Sequence, residues 1–294
     1  MKWLLCLLLA VRCAAAAADV VVTDDRGVAL RLAAPALRIV ALAPSITEMV
    51  YAAGAGAQLA AVPRFSDFPP QAAGLPQIGD ASSLDAERIL ALKPDVVIGW
   101  KSGNRAADLA RLERLGLKLF VIEPVALDDV PRALRAIGAL AGTGSAAESA
   151  ARGFETQVQT MRARYAGAAR VRVFYEIWHQ PLMTVNDRHM ISDVLRLCGG
   201  ENIFGALPVL TPVVSLEDVM VRKPQVVLGG GSSMSGDELA TLWRAQARLT
   251  GLRDLPVLRV DPDAIQRQTP RVLLGAAEVC RHLDAVRDTL RAQH

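Results

Sequence analysis

The stretch VFYEIWHQP sets Tyr175, Trp178 and His179 within five residues of one another. It combines flat apolar surface with an imidazole, a side chain able to ligate a transition metal. Phe65 and Phe68 in RFSDFPP and Trp100 after the run Val96 to Ile98 repeat the theme. The chain holds only six phenylalanines, four tryptophans and three tyrosines, so these three places take a large share of its aromatic area. Each follows a short apolar run with the character of a strand, and the ground beyond strand ends is where open α/β folds bind ligands. The ordinary alternative for each ring is a place in the core, and for His179 a plain surface position before Pro181.

Catalytic signatures are missing from the sequence. There is no GxSxG, no HExxH and no cysteine pair at CxxC spacing, and GGGSSMSG (229–236) lacks the GK[ST] of a phosphate loop. That glycine-rich segment is expected to form a turn. Asp67, Asp80 and Glu176 fall near expected loops, which leaves a carboxylate-based exported hydrolase as the enzymatic alternative. The reading adopted is a binding protein and not an enzyme.

A second signal is a phrase said twice. SLDAERILALKPDVVIGW, from Ser83, and SLEDVMVRKPQVVLGGG, from Ser215, share a serine, a glutamate, a Lys-Pro and an apolar run. The interval from Glu87 to Glu217 equals that from Pro94 to Pro224. Each copy opens a helix, ends it near Lys-Pro, because proline restricts the residue before it, and feeds a buried strand. A glutamate in a first helical turn is favourable by a few tenths to about 1 kcal/mol, so complementing the helix dipole is the bland account of both.

The elements that must position these groups alternate. Arg38 to Leu42, Leu59 to Val62, Val96 to Ile98 and Leu117 to Ile122 are expected strands, with a helix over Arg105 to Leu115. Ser45 with Glu48 matches a capping box for the helix that follows Pro44. A second set runs from the strand VRVFYEI through helices at Met190 to Leu197 and Asp237 to Ala247, strands at Val226 to Leu228 and Val257 to Val260, and a closing helix from Pro270. Between the sets, SAAESAARGFETQVQTMRARY is an unbroken helical stretch of roughly 30 Å at 1.5 Å per residue. The expectation is an α/β chain of two Rossmann-like parallel-sheet lobes joined by one long backbone helix. The parts are a signal peptide over 1–18, an N-terminal lobe over 19–144, a connecting helix over 145–167 and a C-terminal lobe over 168–294.

The signal peptide is read from Lys2, the apolar run Trp3 to Val11 and the small residues Ala16 to Ala18, which together indicate export. Cys13 would be acylated in a lipoprotein, but Arg12 stands where a small residue is usual. No later segment has the length and apolarity of a membrane span. The chain has 33 basic and 30 acidic residues, and losing Lys2 and Arg12 makes it nearly neutral, with no basic tract for nucleic acid. Cys198 ends the helical pattern Ile191, Val194, Leu195, and Cys280 lies on the stripe Leu273, Ala276, Leu283. Both sulfurs are expected to face one core, either as two buried thiols or as a disulfide. Such a bridge would close a loop of about 80 residues and stabilise by roughly 4 kcal/mol.

RIVALAPSITEMVYAAG, FSDFPPQA, LDAERILALKPDVVIGW, CGGENIF, VSLEDV and TPRVLLGAAEVC occur in this order over nearly the whole chain after the signal. In that order they resemble the periplasmic binding proteins of bacterial ABC importers for vitamin B12, haem and iron-siderophores, the B12 (cobalamin) branch above all. The resemblance implies a monomer in the periplasm with ligand held in the cleft between two lobes. Cobalamin or a related corrinoid is then a transported ligand, not an enzyme cofactor, and haem or an iron-siderophore is the alternative. It also implies that Glu87 and Glu217 dock on the two subunits of an ABC permease dimer, and that Phe65, Trp100 and Arg267 match cleft residues. Phe68 and the segment Tyr175 to Trp178 would add apolar surface. Tyr175 or His179 could ligate haem iron, and His179 cobalt. Glu176 stands at the place of a cleft phenylalanine, and Ala81 and Thr211 at places of cleft tryptophans, so part of the aromatic lining differs.

Overall fold

The computed structural model describes residues 19–80, 83–230, 235–250 and 255–293. The expected signal peptide, Ala81 and the centre of the glycine-rich segment lie outside them. An antiparallel hairpin, β1 (Val20–Thr23) and β2 (Ala29–Leu32), precedes the first lobe. Then follow β3 (Ile39–Ala41), α1 (Pro44–Ala52), β4 (Leu59–Ala61), the short pair β5 (Gly79–Asp80) and β6 (Ser83–Leu84), α2 (Ala86–Ala91), β7 (Val96–Trp100), α3 (Ala106–Arg114), β8 (Leu119–Ile122) and α4 (Asp129–Ala141). β4, β3, β7 and β8 lie in that order in one parallel sheet. Val96, Val97 and Ile98 are all buried, because helices cover both faces of the sheet.

α5 (Gly144–Tyr165) runs from the first lobe to the second as the long connector. Its buried residues Ala147, Ala151, Phe154 and Val158 recur every three or four positions, the period of one helical face. Gly138 of α4 allows the two helices to meet, since a Cβ there would sit 2.3 Å from Ala147 Cβ. The second lobe comprises β9 (Val171–Glu176), α6 (Met190–Leu197), β10 (Gly200–Asn202), α7 (Leu216–Val221), β11 (Val226–Gly229), α8 (Gly236–Thr250), β12 (Val257–Arg259), α9 (Pro262–Ile265) and α10 (Val272–Ala292). Its sheet, in the order β10, β9, β11, β12, is again wholly parallel.

The doubled phrase is a doubled structure. Asp85 caps α2 by accepting from Arg88 N, and Ser215 caps α7 by accepting from Asp218 N. Lys93 and Lys223 close the two turns at φ +48° and +46°, each just before its proline. In each lobe an arginine at the start of a sheet strand reaches the end of this helix: Arg38, just before β3, donates from Nε to Leu92 O at 2.9 Å, and Arg172, the second residue of β9, donates from Nε to Lys223 O at 3.3 Å.

Cys198 and Cys280 are joined in a disulfide with Cα atoms 4.8 Å apart, tying α6 to α10. The Ser45–Glu48 capping box does not form. Ala43 is the N-cap of α1 without a side-chain bond, Pro44 occupies the first turn, and Glu48 is buried.

Candidate functional site

The loops leaving the C-terminal ends of the strands bring the two lobes together. After β4 the chain passes Phe65, whose ring is 73% exposed and whose φ is +67°. A bulky residue in the left-handed region is a strained exception. Phe68, also exposed, lies under the Arg271 guanidinium, with Cζ 4.1 Å from the ring centroid. Trp100 ends β7 half-buried. Asn104 holds it, accepting from Trp100 N at 2.8 Å and donating to Leu42 O at 2.9 Å. Gly103 turns directly over the ring, where a Cβ would come within 1.8 Å of Trp100 Cε3.

On the facing lobe, Trp178 is 48% exposed and donates from Nε1 to Gln180 O at 2.9 Å. His179 beside it is half-buried, with Nδ1 3.0 Å from Glu176 Oε1. Tyr175 does not join them. Val171, Val173 and Tyr175 point to the core shared with α6 and α10, while Phe174 points to the other face against Phe204 and Trp243. Tyr175 is wholly buried, and burial raises the ionisation of its hydroxyl far above the phenol range, so it is neither cleft surface nor an iron ligand. Glu176 is buried as well, and Thr211 is half-buried.

Arg267 departs from the expected role of a free cleft arginine. Nη1 lies 2.8 Å from Glu48 Oε1 and 2.9 Å from Asp67 Oδ1, and Nη2 lies 2.8 Å from Asp263. Arg271 Nη1 reaches the same Glu48 oxygen at 2.9 Å, and Thr269 Oγ1 donates to Glu48 Oε2 at 2.9 Å. Glu48, 3% exposed in the first lobe, thus gathers three donors from the second. Burial works against ionisation of Asp67, yet the hydrogen bond and charge of Arg267 outweigh it and hold the carboxyl below its ordinary range. Sequence reasoning missed Glu48, Thr269 and Arg271. The available signal was an acid inside SITEMV, an otherwise apolar turn with no exposed face for it.

The remaining groups lie apart. Glu87 and Glu217 are exposed in the first turns of α2 and α7, and neither makes a hydrogen bond or ion pair with the described residues. The three carboxylates of the hydrolase alternative are each engaged: Asp67 with Arg267, Asp80 with Arg64, and Glu176 with His179 and Trp243. A cavity of about 380 Å³ lined by Arg162, Tyr165, Arg170, Asp193 and Arg196 opens at the start of β9, the far end of that sheet from the aromatic cluster.

Two parallel-sheet lobes, a connecting helix and exposed aromatics on loops after the C-terminal strand ends of both lobes invite comparison with known proteins. A family profile described as periplasmic binding protein matches residues 39–252. The chain belongs to that family. This periplasmic binding protein is therefore a solute-binding component of ABC transport in the periplasm and not an enzyme. It is 36% identical over 250 residues to the vitamin B12-binding protein of Vibrio cholerae, covering 85% of this chain and 90% of the relative. It is 39% identical over 264 residues to the vitamin B12-binding protein of Pectobacterium carotovorum, covering 88% and 94%. The crystal structure of the periplasmic vitamin B12-binding protein of Vibrio cholerae superposes with a TM-score of 0.78 at 35% identity, over 86% of this chain and 98% of that one. The periplasmic haem-binding protein of Roseiflexus, 22% identical with a TM-score of 0.72 over 85% and 98%, shares the fold.

Proposed function

We propose that this protein captures cobalamin or a related corrinoid between its lobes and delivers it to an ABC importer. Phe65, Phe68, Trp100 and Trp178 supply the flat surface. Glu87 and Glu217 offer one handle to each of two permease subunits. The observation that carries the ligand reading is Phe65, an exposed ring held at positive φ beside the lobe junction, where strain is retained only if the surroundings enforce it. A broad, partly apolar plate such as a corrin ring needs aromatic area of this kind. Further support comes from relatives named for vitamin B12 that align over most of the chain. Arg267, engaged across the lobes, acts here by fixing their separation.

The test is titration of the purified protein with cyanocobalamin, haemin and ferric siderophores, followed by calorimetry and tryptophan quenching. Cyanocobalamin is expected to bind saturably at micromolar concentration or below. Trp100→Ala is expected to weaken it by about 1 kcal/mol or more with the fold intact. Saturable haemin binding without cobalamin binding overturns the reading.

A further inference from the structure

Glu176 and His179 form a pair at the end of β9 that the stacking role leaves unexplained. Glu176 is 1% exposed, and both of its oxygens are occupied. Trp243 Nε1–H, which can only donate, meets Oε2, and His179 Nδ1 lies 3.0 Å from Oε1. A carboxylate that accepts on both sides makes Nδ1 the protonated ring nitrogen, so Nε2 carries the lone pair. Nε2 has no hydrogen-bond partner among the described residues, and the His179 side chain keeps 13% of its surface exposed. A buried carboxylate fixing one nitrogen while the other faces outward is how proteins orient metal-ligating histidines and raise their basicity. No group of three histidine, cysteine or acidic side chains among the described residues could hold an ion unaided. A metal that met His179 would arrive already held by another ligand, and the neighbouring exposed Trp178 offers the flat face a macrocycle needs.

We infer that His179 Nε2 is an axial ligand for the metal of the bound macrocycle, and that the site favours a corrinoid whose lower cobalt position carries no nucleotide base. This rests on the corrinoid reading above. Binding is a ligand exchange: the cobalt–water bond breaks, a cobalt–nitrogen bond forms, and water leaves to solvent with no change in oxidation state. Glu176 is a positioning residue, holding the ring and its tautomer. Cyanocobalamin, with its own base below the cobalt and cyanide above it, has no water to exchange and gains nothing from His179.

The experiment titrates the full mature protein with diaquacobinamide, cyanocobalamin and haemin and records visible absorption. Cobinamide is expected to saturate the wild type with the spectrum of nitrogen-ligated cobalt. In His179→Ala the bound cobinamide should show the spectrum of the free diaqua form. Glu176→Gln should keep the signature and bind cobinamide about tenfold more weakly or worse, with melting curves reporting its fold. Because His179 is partly exposed, His179→Ala carries the test even if the buried variant does not fold. Saturable cobinamide binding with an unchanged diaqua spectrum, or a nitrogen-ligated spectrum that survives His179→Ala, overturns the inference while leaving the corrinoid reading standing. A nitrogen-ligated haemin complex lost in His179→Ala, without corrinoid ligation, moves the axial role to iron and overturns the corrinoid part. Failure to bind either corrinoid overturns the ligand reading together with the inference.

Discussion

Glu48 of α1 and Arg271, the residue that caps α10, lie 223 positions apart in the chain and 2.9 Å apart in space. With Arg267 and Thr269 on the same carboxylate, this junction sets one lobe against the other at a point close to the aromatic cluster. Its strength comes from burial. An exposed pair of this kind would contribute little, whereas removing one partner of a buried pair leaves the others without compensation.

Glu48→Gln is therefore expected to cost roughly 2–3 kcal/mol in chemical unfolding, the low end for a buried pair because both arginines retain some access to solvent. Small-angle scattering of the variant should also show a wider spread of lobe separations. A denaturation midpoint equal to wild type would mean that the lobes are held by the connector and the disulfide alone.

Much of this architecture was legible in the residues. Continuous apolar runs such as Val96 to Ile98 announce strands covered on both faces, and helical spacing puts Cys198 and Cys280 toward a common core. Glu48 was misread because Ser45 and Glu48 satisfy a local motif, while its partners stand more than 200 positions away and leave no local trace. Tyr175 was misread for the reason that made β9 easy to find: a strand buried on both faces offers no alternation by which to tell which ring looks outward. Resemblance places Arg267 among cleft residues, but its commitment to Glu48 and Asp67 depends on where two lobes meet.

The disulfide gives a second expectation. Reduction, or Cys198→Ser with Cys280→Ser, should lower stability by about 2–4 kcal/mol, because the bridge joins residues separated by 82 positions. Intact mass before and after alkylation of unreduced, denatured protein reports the bond. Two thiols alkylated without reductant would show that the cysteines are merely neighbours.

His189 sets a pH window. It caps α6, accepting from Ile191 N–H at 3.1 Å through Nδ1, and burial pushes its pKa down from 6.5 to about 4. A depressed histidine is neutral in both states above pH 6.5 and has no effect there. As pH falls from 6.5 to 4 the unfolded chain takes up a proton that the folded one refuses, so stability drops by about 3 kcal/mol and then levels. His189→Asn keeps a cap without the titration, and its denaturation midpoints should lose less across that window. Parallel curves for the two proteins would assign the acid sensitivity to the carboxylates.

The paired glutamates give the sharpest separation of function from stability. Glu87 and Glu217 are exposed, make no hydrogen bond or ion pair with the described residues and stand on helices already capped by Asp85 and by the Ser215–Asp218 box. Reversing both to lysine should leave corrinoid affinity nearly unchanged, since neither belongs to the proposed ligand site. Lysine at a helix start is unfavourable by about 0.3–1 kcal/mol at each site, so melting should fall only slightly. If two subunits of a permease present cations to these handles, two lysines bring like charges together, and uptake of labelled cobalamin through the cognate importer should collapse. Each single reversal should be partial, because the other lobe still docks, and wild-type association should weaken as ionic strength rises. Normal uptake by a folded double mutant would reduce both glutamates to helix-dipole partners and leave the repetition of the phrase to the architecture alone.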